Sequence, residues 1–143
     1  MAPDHQPVSS RVLLLDTNLG FQFALAFELE KLGIAALPAH SVREAKVLLA
    51  EFGPRLDLVI VKYAIRGTRA FVQVLREYNP DLPVVAILPD TRIPRAPVGP
   101  FAGYLRDPED VQPQLAAKAA RLVQSLVCRS RRVARTGQGS GRY

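Results

Sequence analysis

Only one cysteine, Cys128, occurs in the chain. A lone thiol excludes an intrachain disulfide and a cysteine-built metal cluster, and it suits a reducing compartment. Long apolar runs are missing as well. The longest near the start, residues 12–15, is too short for a leader's hydrophobic region or a membrane span, and MAPDHQPVSS before it lacks a basic opening. The chain therefore reads as cytoplasmic, with no membrane span. Phosphate-cradling glycine loops are absent: neither GxGxxG nor GxxxxGK[ST] occurs. Acid is absent from the end. Residues 128–143 hold five arginines and no Asp or Glu, whereas residues 1–127 hold 14 basic and 13 acidic groups. The basicity belongs to a tail and not to the body.

What is present is enough for one domain. The 143 residues are 48% apolar, ample for a core and too short for two. The stretch that organises the rest is LDLVIVK, residues 56–62, a β-branched run bounded by Gly53-Pro54 and Gly67. It reads as a central parallel strand buried on both faces, with Lys62 at its carboxyl end, the edge where ligands gather in open α/β sheets.

Around it, strand and helix alternate. Residues 11–15 (RVLLL) form a first strand ending in Asp16-Thr17-Asn18. Residues 21–32 form a helix with a stripe of Phe21, Leu25, Leu29 and Leu32, widened by Phe23 and Phe27 and closed by Gly33. Residues 34–39 are a second strand. Ser41 and Glu44 make a capping box opening a helix to about Glu51, with Ala45, Leu48 and Leu49 inward. Beyond Gly67, residues 68–78 place Phe71, Val74, Leu75 and Tyr78 at helical spacing until Asn79-Pro80. Residues 82–88 (LPVVAIL) are a fourth strand. Prolines at 89, 94, 97 and 100 argue against a helix in the next connection. Residues 103–106 are a fifth strand carrying Tyr104. Pro108-Glu109-Asp110 opens a last helix striped by Val111, Leu115, Ala119, Leu122 and Leu126, and a flexible end follows from about Thr136. Cys128 is expected to be a partly buried small residue near that helix's end.

Five alternations imply right-handed crossovers and a doubly wound α/β parallel sheet of the flavodoxin-like (βα)5 type. Strand order 2-1-3-4-5 is the natural choice for that count. The fourth helix should be missing or shortened by the prolines. Residues 1–10 are a loose lead-in, 11–127 the domain, and 128–143 a basic tail that continues the last helix before losing order.

Over residues 11–127 the chain resembles a response-regulator receiver domain, through RVLLLDTN, DLVIVK, LPVVAIL and GYLRDP in that order. The resemblance implies an acidic pair after strand one and a phosphoacceptor Asp ending strand three, together holding Mg²⁺. It also implies a Thr or Ser ending strand four and a Lys after strand five that contact the phosphoryl group. Here Asp16 matches the first acid, but Thr17 stands for the second. Lys62 replaces the phosphoacceptor, Leu88 the hydroxyl residue and Asp107 the lysine, and only the strand-five aromatic, Tyr104, is kept. The chain thus resembles a degenerate receiver, or pseudo-receiver, with neither metal nor cofactor expected. Lys62 and Asp107 suggest the family's ion pair with reversed polarity, with Asp16 sharing the ammonium. Alternatively, Lys62 snorkels to solvent and Asp107 caps the last helix.

Three functions compete. The favoured one is a non-catalytic, phosphorylation-independent signalling module of bacterial type that contacts a protein partner or a second copy of itself. The alternative is binding of nucleic acid or an acidic partner through Arg129, Arg131, Arg132 and Arg135, unaccompanied by any recognition motif. Catalysis is the weakest, resting on Lys62 as a Schiff-base lysine or residues 17–20 as a vestigial phosphate loop.

Overall fold

The computed structural model describes residues 10–96, 98–108 and 113–140. Five parallel strands, β1 (Ser10–Leu15), β2 (Ile34–Ala39), β3 (Leu58–Lys62), β4 (Val84–Leu88) and β5 (Phe101–Arg106), form one sheet of order β2-β1-β3-β4-β5. Four helices accompany them among the described residues: α1 (Leu19–Lys31), α2 (Val42–Phe52), α3 (Thr68–Tyr78) and α4 (Pro113–Ser140). The expected fold class and strand order are therefore observed.

The pleat explains the apolar runs. Val12 and Leu14 of β1, Leu58 and Ile60 of β3, and Val85 and Ile87 of β4 face the layer built by α1 and α4. Leu13 and Leu15, with Val59 and Val61, face the layer built by α2 and α3. Strands covered on both sides need no polar alternation. Register places Leu15 opposite Val61 and Lys62 opposite Ile87, so the ends of β1, β3 and β4 share one edge.

Several helix stripes are narrower than the spacing predicts. Phe21, Leu25 and Leu29 are buried, but Phe23 and Phe27 are exposed, and Gln22 is buried in their stead. At 100° per residue, Phe23 lies on the far side of α1 from Leu25. On α3, Phe71, Val72, Leu75 and Thr68 are buried while Val74 and Tyr78 point out. On α4, the buried line is Ala116, Ala119, Ala120, Val123, Leu126 and Val127, and Leu122 is exposed. The described part of that helix runs from Pro113 to Ser140, past the expected break at Thr136. Glu109, Asp110 and Val111 lie outside the described residues. Cys128 is exposed and not partly buried.

Between β4 and β5 the described residues form no helix longer than the single 3-10 turn Asp90–Arg92. Aromatic rings hold this connection instead. Tyr63 meets Phe101 edge-on at 5.6 Å, and Phe101 lies 5.9 Å from Tyr104. The Tyr104 hydroxyl accepts the Val98 N–H at 2.8 Å and is within 3.3 Å of the Val98 carbonyl, to which it donates. Tyr104→Phe should therefore loosen the proline-rich segment while costing only about 1 kcal/mol overall. Limited trypsinolysis checks this: cleavage after exposed Arg92 should quicken in the variant, and an unchanged rate would mean that the hydroxyl does not anchor the segment.

Candidate functional site

Each residue at the carboxyl edge is placed by backbone pairing. β1 ends at Leu15, and Asp16 continues it, with its N–H donating to the Ala39 carbonyl at 3.0 Å. The chain then turns sharply, because Asp16 Oδ1 accepts the Asn18 N–H at 2.9 Å and Asn18 Oδ1 accepts the Phe21 N–H at 3.0 Å. Asn18 is thus the N-cap of α1, which makes residues 17–20 a helix start. Lys62 is the last residue of β3, and its carbonyl accepts from the buried Thr68 hydroxyl at 3.3 Å. Asp107 follows β5 and stays in the ladder through its N–H to the Leu88 carbonyl at 2.8 Å. The alternative in which Asp107 caps the last helix turns on residues 109–112, which lie outside the described residues.

Three of the six family positions converge. Lys62 Nζ lies 3.6 Å from Asp16 Oδ1 and 3.5 Å from Asp107 Oδ2. The ammonium sits between two carboxylates of strongly different exposure, with Asp16 side-chain exposure at 0% and Asp107 at 27%. Thr17 is exposed, Leu88 closes β4 with a partly buried side chain, and Tyr104 belongs to the aromatic group described above.

Asp16 is the electrostatically costly member. Its Oδ2 is buried with no hydrogen-bond partner among the described residues. Burial raises its pKa above the ordinary 3.8, outweighing the Asn18 amide, the Lys62 charge and the Thr17 amide, all of which lower it; the nearby Asp107 charge adds to the rise. A buried carboxylate needs a counter-charge, and Lys62 supplies it.

The site does not fit a divalent cation. A hard cation needs several oxygen ligands, and here one carboxylate oxygen is engaged by the Asn18 amide while the space between the two acids holds an ammonium. No three metal-capable side chains come together among the described residues.

Two contributors escaped sequence reasoning. Gln22 is buried on α1 and donates through Nε2 to the carbonyls of Leu14 and Ala39, each at 3.0 Å, tying the helix to the β1–β2 edge behind Asp16. Thr68 fixes the end of β3. A polar residue inside an apolar helix stripe was the available signal for Gln22, since its position falls beside Phe21 and Leu25 on the helical wheel.

The geometry on this edge belongs to a known architecture. A response regulator receiver domain protein from Clostridium thermocellum superposes with a TM-score of 0.68 at 19% identity, covering 87% of this chain and 98% of that one. NtrX from Brucella abortus gives 0.71 at 20% identity, over 90% of this chain and 29% of NtrX. An orphan response regulator of H. pylori gives 0.64 at 17% identity, over 85% and 99%. The chain therefore has the receiver fold. No protein-family model and no curated protein matches the sequence.

Proposed function

We propose that this chain is a receiver-fold signalling module that acts by contact with a protein partner and without aspartyl phosphorylation. The observation that carries the reading is the ammonium of Lys62 between Asp16 and Asp107. An acyl phosphate requires a carboxylate at the end of β3, and that position holds a cation. Chemistry on the two remaining acids is disfavoured because both already face Lys62, and Asp16 has no solvent access. The architecture supports a regulatory role, because the superposable proteins include response regulators. The ionic lock supports a fixed conformation, one not switched by a metal or a phosphoryl group. The module is non-catalytic in this reading, and its partner is a signalling component or a second copy of the chain.

Incubation of the full chain with acetyl phosphate and Mg²⁺, followed by intact-mass spectrometry, tests this. The mass should stay unchanged. A phosphorylated species that disappears in Asp16→Asn or Asp107→Asn would overturn the reading.

A further inference from the structure

Helix α4 carries a surface that the ionic site does not use. Lys118, Arg121 and Arg129 are all exposed, and with exposed Ser125 they follow one another at spacings of three, four and four residues, which is one face of a helix. On the opposite face Ala116 is buried, and Ala120, Val123 and Val127 are buried against the sheet and α1. Among the described residues none of the three cations is held in an ion pair. From Lys118 to Arg129 the row spans about 16 Å at 1.5 Å per residue. The helix backbone then continues to Ser140, with arginines at 131, 132 and 135 in its sequence and no Asp or Glu anywhere from 113 to 140.

We propose that the outer face of α4 from Lys118 through Arg129, supplemented by the charge of the arginines that follow in the sequence, docks against the phosphate backbone of a nucleic-acid duplex. Three observations choose this partner. The apolar side of α4 is occupied by the domain core up to Val127, so that segment cannot sink into a bilayer as an interfacial amphipathic helix does. Residues 113–140 contain no aromatic side chain, so there is no platform on which unpaired bases could stack. A straight row of one sign without interleaved acids sets no register, as a specific protein interface would require; it suits a uniform polyanion with a charge every ~1.7 Å. The surface therefore begins on the folded body, at Lys118 and Arg121, and is not confined to the arginine-rich end. This inference is independent of the ionic site, and either can fail alone.

The test is fluorescence anisotropy with a mixed-sequence 20-base-pair DNA duplex over a salt series, using the full chain and the exposed-site variant Lys118→Gln/Arg121→Gln, its fold checked by circular dichroism. Phosphatidylserine vesicles and polyglutamate are run in parallel. Duplex binding should weaken by about a thousand-fold between 50 and 200 mM salt if all six cations of α4 engage. The double variant should reduce the log–log salt slope by about two. An unchanged slope in that variant, preference for vesicles or polyglutamate, or no duplex binding at 50 mM salt would overturn the proposal.

Discussion

Lys62→Met is expected to destabilise the domain by about 3–5 kcal/mol at neutral pH, the usual range for stripping the partner from a buried charge. The methionine fills a similar volume, so the loss is electrostatic and not a cavity effect. Two carboxylates lose their shared counter-charge, and Asp16, with no exposed side-chain surface, cannot turn to water. It can only take up a proton. The penalty should therefore grow as pH rises, because holding Asp16 ionised becomes unavoidable. Urea denaturation at pH 5 and pH 8 checks both the size and the trend; a loss below about 1 kcal/mol at both would show that the ammonium is effectively solvated. Double-mutant cycles then apportion the effect. Coupling of Lys62 to Asp16 should exceed coupling to Asp107, since the distances are nearly equal and only Asp107 is partly screened by solvent. No coupling to Asp107 would remove it from the lock.

The second large effect is the pH dependence that Asp16 imposes. Its pKa is raised in the folded state, so the folded chain binds a proton more readily than the unfolded one. Stability from this group is fully present below the ordinary value of 3.8 and is lost as pH rises through the folded value. Asp16→Asn keeps an acceptor for the Asn18 amide and removes the titration. Wild type and variant should thus be nearly equal in stability at acid pH, with the wild type falling behind as pH increases and then levelling off. Paired denaturation curves between pH 3 and pH 8 measure the difference directly. A wild type that instead gains on the variant with rising pH would mean that pairing with Lys62 outweighs the burial of Asp16.

Much of this architecture was legible because its strands speak plainly. LDLVIVK and LPVVAIL have no polar alternation, which only a sheet covered on both faces permits, and β1, β3 and β4 are that sheet's interior. Ser41 and Glu44 announced α2: Ser41 is its N-cap, with Oγ accepting the Glu44 N–H at 3.2 Å, while the Glu44 carboxylate accepts at 2.9 Å from the N–H of His40, one residue before the cap. Four prolines announced the missing helix, but they gave no hint that Tyr104 would bind the Val98 backbone in its place. Helix faces were less legible. Phe23 and Phe27 look like core residues by type, yet their angular positions turn them to solvent, and hydrophobicity alone does not weigh angle.

At the site, residue types suggested charge complementarity and topology brought the charges together. Lys62 ends β3, Asp107 follows β5, and the two meet at 3.5 Å across the end of β4. Asp16 joins because β1 lies on the other side of β3. What the pattern could not convey was the depth of Asp16. Burial depends on how the helices and loops pack around the strand edge, which is a tertiary consequence.

In the proposed reading the Lys62 ammonium occupies the position between the two acids to the exclusion of a divalent cation. The most direct measurement is the thermal melting of the full chain with increasing Mg²⁺ at constant ionic strength, beside Lys62→Asp. The wild-type Tm should not move, whereas the variant, with its ammonium exchanged for a third carboxylate, should melt lower without metal and recover as Mg²⁺ is added. A wild-type Tm that climbs with Mg²⁺ would contradict the account, since the carboxylates would then be available to a metal and the lock would not exist.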